Sequence, residues 1–148
     1  MAQHFSLDRT PLTTTTAHGA DRPILTRRVL EAADSKALNF IDLTIVPPGS
    51  YIGEHTHTDD NEEIYVIVSG HGMMLADEER FEVGAGDVVV NRPGGTHALW
   101  NTGPAELRLV VIEVPVRATS PSGSAEGRDA AHVHGQGAAG DATGRPPR

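Results

Sequence analysis

A chain of 148 residues, 38% of them apolar, can bury one real core and suits one domain rather than two. Its net charge of −8 lies in the middle: Pro23 to Arg117 holds fifteen Asp and Glu against seven Lys and Arg, with both ends neutral. An acidic body without a basic stripe argues against nucleic acid or anionic lipid as the main partner, and the lack of cysteine excludes disulfides and thiolate chemistry.

No run approaches the roughly 18 apolar residues of a membrane span. The start, Met1 to Arg9, lacks a charged segment followed by an apolar one, so a cytoplasmic protein is expected. Lys36 is the single lysine, which rules out most Schiff-base schemes. Residues 1–22 include four consecutive threonines, Thr13 to Thr16, and no apolar period; a loosely held arm is expected. Short strands punctuated by glycine and proline follow. Ile24–Leu30 and Leu38–Val46 come first, with a short helical turn near Glu31–Lys36 between them. Next are Tyr51–Thr58 and Glu63–Val68, then the pair Met73–Ala76 and Arg80–Val83 around Asp77-Glu78-Glu79. Val88–Val90, Thr96–Asn101 and Leu107–Val116 complete the set. So many short strands at regular spacing predict an all-β sandwich or barrel over residues 23–117. Residues 118–148, rich in Gly, Ala, Ser and Pro, cannot offset their ordering entropy by burial, so disorder is expected there.

His55 and His57 stand two apart, and in a strand that spacing aims both imidazoles at one side. The next strand supplies a carboxylate. Glu63 would share its face with Tyr65 and Ile67, a suitable pocket wall; Glu62 competes with it and would bring Ile64, Val66 and Val68 inward instead. His97 comes from a distant strand after Pro93-Gly94-Gly95, whose backbone freedom helps to aim it. Three imidazoles and a carboxylate suit a first-row divalent metal and leave positions open on a six-coordinate ion.

The two stretches resemble the paired signature motifs of the cupin superfamily. Gly49, His55, His57, Glu63 and Gly70 match the first motif, with a five-residue gap between His57 and Glu63. Gly86, Gly94, His97 and Asn101 match the second, although Arg92 stands where that motif has proline and Pro93 follows. The resemblance implies a small antiparallel double-sheet barrel holding one divalent metal: iron, manganese, nickel or zinc. The activities it implies run from dioxygenases through isomerases, cyclases and lyases to mere ligand binding, so the fold does not name one.

Other residues carry weaker signals. Tyr51 and Tyr65 are in register with the ligands and are candidates for the pocket wall. Arg92, if turned toward the mouth, is a candidate for holding an anionic or enolate substrate, and Glu63 is a candidate base. Trp100 alternates away from His97, His71 belongs to a turn, and His132 and His134 form a second His-x-His in the tail. The leading expectation is a metal-dependent enzyme acting on a small oxygenated substrate, dioxygenase chemistry foremost. A non-catalytic ligand-binding barrel is the alternative. Exposed sheet edges further predict a homodimer, with Ile24–Leu30 padding the partner's sheet.

Overall fold

Apolar alternation broken by Pro-Gly and Gly-rich turns yields ten strands among the residues 1–116 that the computed structural model describes. They are Thr13–Thr15 (β1), Ile24–Glu31 (β2), Phe40–Val46 (β3), Tyr51–Thr56 (β4) and Asn61–Ser69 (β5), followed by His71–Ala76 (β6), Glu79–Gly84 (β7), Val88–Asn91 (β8), Thr96–Asn101 (β9) and Leu107–Pro115 (β10). All pairings are antiparallel, in one sheet of order β1-β2-β3-β10-β5-β8 and a second of order β4-β9-β6-β7. Among the described residues there is no helix; Glu31–Lys36 holds only a turn, closed by Asp34 N donating to Glu31 O at 2.8 Å. No helix is therefore long and apolar enough to cross a membrane. The tail beyond residue 116, with His132 and His134, lies outside the described residues.

The core lies between the sheets. Val46, Ile67, Met74, Leu99, Leu107 and Leu109 are each at most 1% exposed, and truncating Ile67, Met74 or any of these leucines to alanine should cost about 2–5 kcal/mol. The signature asparagine, Asn101, is a structural tie. Its Nδ2 donates to the carbonyls of Val46 and Ala105 at 2.8 Å each, and its Oδ1 accepts from Gly103 N at 2.9 Å. Gly70, with φ of 90°, turns β5 into β6 so close to the Glu106 carbonyl that a side chain would collide with it.

Two features differ from the sequence reading. Residues 1–22 contribute a strand of their own, since β1 pairs with β2 from Thr13↔Thr26 to Thr15↔Ile24. Threonine favours strands without any apolar alternation to announce it. β1 covers its edge of β2 only over Ile24–Thr26, while β3 lies along the other side. The second feature is a bulge in β4. Ile52 pairs with Leu99 and His55 with His97, so three steps on β4 oppose two on β9. Ile52 and His55 thus share the inner face although their numbers differ by three. Gly53 sits in the bulge, donates its N–H to Ala17 O at 3.2 Å, and lies against the His18 carbonyl.

An added methyl at Gly53 would meet that carbonyl directly. Gly53→Ala should therefore destabilise the protein by about 1–3 kcal/mol and open residues 13–22 to protease. Denaturant unfolding and limited proteolysis check both effects.

Candidate metal centre

The bulge sets His55 opposite His97, and His57 follows just past the end of β4, its N–H held by Gly95 O at 3.1 Å. Glu63 reaches in from β5 of the other sheet and is 5% exposed. One donor atom from each of these four residues lies within 4.8 Å of the others. The rings crowd: His55 meets His97 edge-on at 4.3 Å between centroids, and His57 stacks on His97 at 4.9 Å.

Each outward-facing nitrogen of the first pair is already engaged. His55 Nδ1 donates to Gly53 O at 2.8 Å and His57 Nδ1 to Asn61 Oδ1 at 2.9 Å. Both Nε2 lone pairs are left for the centre, where they are buried without hydrogen-bond partners, as is His97 Nδ1. A carbonyl or amide behind each ligating imidazole is the usual means of fixing its tautomer and orientation. His97 Nε2 faces Glu63 Oε2 at 2.8 Å and the Tyr65 hydroxyl at 3.3 Å. Buried imidazole nitrogens without partners around one carboxylate fit a borderline divalent cation.

The electrostatics match. Desolvation lowers His55 to about 4, with the Gly53 carbonyl opposing and His97 adding to the fall, so this imidazole is neutral at pH 7. Burial works against a charged Glu63, but the hydrogen bond from His97 and the proximity of His97, His57 and His55 outweigh it and hold the carboxyl below its ordinary range. Burial, followed by the charge of Glu63, raises Tyr65 well above the ordinary phenol, so its hydroxyl stays protonated.

The other expected residues lie elsewhere. Glu62 points away from the cluster and pairs with Arg92 at 2.8 Å; the Arg92 side chain is 75% exposed. The reading of Arg92 as a substrate clamp is corrected accordingly: it follows edge strand β8 and binds an outward acid. Tyr51 is corrected too. The bulge shifts the phase of β4, so Ile52 rather than Tyr51 faces the cavity, and the Tyr51 hydroxyl donates to Asp21 Oδ1 at 3.0 Å. Tyr65 does line the cavity. Trp100 is half-buried beneath the Arg80 guanidinium, and His71 is exposed.

A cavity of about 250 Å³ adjoins the centre, and His57, Glu63 and Tyr65 form part of its wall. Residues that sequence reasoning passed over complete it. His18, in the left-handed region at φ of 53°, stacks on His55 at 3.5 Å and 6°. Nothing in the sequence announces that contact. Asp42 and Glu113 did carry a signal: they fall on the inward phase of β3 and β10, where their neighbours two residues away are Phe40, Thr44 and Val111.

Linkage gives a pH prediction. Between its folded pKa of about 4 and its ordinary 6.5, His55 binds more protons unfolded than folded. Metal-free protein should therefore lose stability as pH falls from about 6.5 to about 4, with that contribution complete above 6.5. Thermal unfolding across this window checks it, and His55→Gln should flatten the slope. For metal affinity, Glu63→Gln should cost at least about tenfold while Glu62→Gln leaves it nearly unchanged; competitive chelator titration reads both.

Residues 42–113 match the family model described as Cupin domain, Cupin_2. An uncharacterised protein of Methanocaldococcus jannaschii is 39% identical over 71 residues, covering 48% of this chain and 56% of that one. The oxalate-binding protein of Thermotoga maritima is 34% identical over 82 residues, covering 55% of this chain and 66% of that one. The chain thus spans less than two thirds of the length of either relative. Among solved structures, a predicted oxalate decarboxylase of Thermotoga maritima superposes with a TM-score of 0.71 at 22% identity, over 77% of this chain and 100% of that one. A Cupin 2 conserved barrel domain protein of Salinispora arenicola gives 0.61 at 24% identity, over 77% and 89%. Likeness at that identity speaks for the fold alone. The family match and the double-sheet barrel together mark residues 42–113 as a cupin domain.

Proposed function

We propose that this chain is a mononuclear, divalent-metal-dependent enzyme acting on a small oxygenated organic substrate. Dioxygenase-type chemistry leads, with isomerase, cyclase or lyase chemistry close behind. The observation that carries the reading is that His57 and Glu63 belong at once to the donor cluster and to the wall of the cavity. Structural metal sites are closed by protein ligands, whereas catalytic ones keep a position open toward substrate. When bound, a divalent ion at these donors supplies Lewis acidity toward substrate oxygens and, if it is iron or manganese, redox access to dioxygen; nickel and zinc also suit the set. The chain's own groups supply the rest. Ile24, Phe40, Ile52 and Val111 give the cavity an apolar side, and Thr26 and Thr44 offer hydroxyls. In this reading Glu63 is both ligand and proton acceptor: its Oε2 lies in the donor cluster, 2.8 Å from His97 Nε2, and its side chain borders the cavity.

The alternative is a barrel that binds a small ligand without changing it, which the naming of one relative as an oxalate-binding protein favours. The two readings separate in one assay: metal-loaded protein incubated with candidate compounds, followed by oxygen uptake and ligand mass. Turnover that disappears with the metal is expected. Full activity in metal-free protein contradicts the proposal, and stoichiometric ligand recovered unchanged favours the alternative.

We also propose a cytoplasmic homodimer. In this reading Ile24–Leu30 pads the partner's sheet, an arrangement supported by the stretch of β2 that β1 leaves uncovered, Arg27–Glu31. Light scattering should report two chains per particle; a monomer at micromolar concentration contradicts this. Arg92→Pro should leave ligand affinity within about a factor of two, since exposed ion pairs contribute little.

A further inference from the structure

The cavity wall has a charge pattern that bears on which ligands it admits. On the inner face of the six-stranded sheet, Glu113 of β10 is directly paired with Glu63 of β5. Two carboxylates at paired positions repel, and here the His57 ring lies between them. Its Nε2 is 3.3 Å from Glu63 Oε2 and its Nδ1 is 3.6 Å from Glu113 Oε2. Asn39 Nδ2 donates to the other Glu113 oxygen at 3.0 Å, which holds the carboxylate in place at the cavity wall.

The one arginine in that wall does not offset Glu113. Arg28 is bound in a two-point pair to Asp42, Nε to Oδ1 at 2.9 Å and Nη2 to Oδ2 at 3.0 Å, and its guanidinium lies 3.9 Å over the Phe40 ring. Arg28 and Asp42 therefore cancel. A divalent cation facing Glu63 leaves one net positive charge at the centre. A ligand carrying at most one negative charge is matched there, whereas a dianion brings excess charge beside Glu113 in a confined space, where like charges interact strongly. A substrate hydroxyl, by contrast, gives Glu113 a hydrogen-bond donor.

We propose that Glu113 determines specificity, admitting an uncharged compound with adjacent hydroxyl and carbonyl oxygens and excluding dicarboxylates of the same span. This rests on the reading above that a ligand reaches a metal held by His55, His57, Glu63 and His97. The volume of about 250 Å³ corresponds to only about eight waters at their liquid share, so the ligand is small.

Calorimetry on zinc-loaded protein at neutral pH tests the idea with two probes of similar size. Acetohydroxamic acid is uncharged in solution and, on releasing its hydroxyl proton to solvent as it chelates zinc, carries only one negative charge; oxalate is a dianion with the same chelating span. The wild-type protein should bind the hydroxamic acid at least about tenfold more tightly than oxalate. In Glu113→Gln, oxalate affinity should rise about tenfold with stoichiometric zinc retained, reversing or erasing the preference. Oxalate binding to the wild type as tightly as the hydroxamic acid overturns the inference and leaves the metal reading intact, and this arm needs no variant. An unchanged ratio in zinc-retaining Glu113→Gln overturns it as well. Failure of the protein to hold zinc, or binding of neither probe to zinc-loaded protein, overturns both.

Discussion

Glu63 is a carboxylate buried between two sheets, and the site is organised around making that burial tolerable. Removing a charge from water is costly unless opposite charge or hydrogen-bond donors replace the solvent. Three imidazoles do this, His97 by a direct bond and His55 and His57 by proximity. The same imidazoles are themselves desolvated, and His55 is neutral as a result. In this cluster the Nε2 atoms of His55 and His57 and the Nδ1 of His97 are buried without hydrogen-bond partners. A cation meets the needs of both partners.

The backbone around the cluster serves this arrangement. The β4 bulge lets Ile52 and His55 share one face, so one lines the cavity while the other joins the donor cluster. It also turns the Gly53 carbonyl to His55 Nδ1 and brings the Ala17–His18 backbone onto the barrel, which stacks His18 over His55. One extra residue thereby shapes the strand, orients the His55 ring and docks the N-terminal segment.

Much of this was legible in the sequence, for reasons that can be named. The two-residue period of a strand explains why His55 and His57 converge, and the turn before His97 explains how a distant strand joins them. The same period, run backwards through β4, put Tyr51 on the wrong face, because nothing in Tyr51 to His55 announces a bulge except Gly53. Arg92 follows an edge strand beside Glu62, a neighbour that local pattern does not reveal. The contact of His18 with His55 spans 37 positions and depends on tertiary packing. Asp42 and Glu113 were readable in principle, as charged residues on the inward phase of strands whose neighbouring cavity-facing side chains, Phe40, Thr44 and Val111, carry no charge.

The central claim is that the four donors form one metal site. Metal content per chain, measured on protein purified without added metal and again after exposure to a single equivalent of zinc or manganese, tests it most directly. The account predicts close to one bound divalent ion per chain after loading, lost on substitution of His57. Protein that stays folded and takes up no divalent ion at micromolar concentration and neutral pH would contradict it.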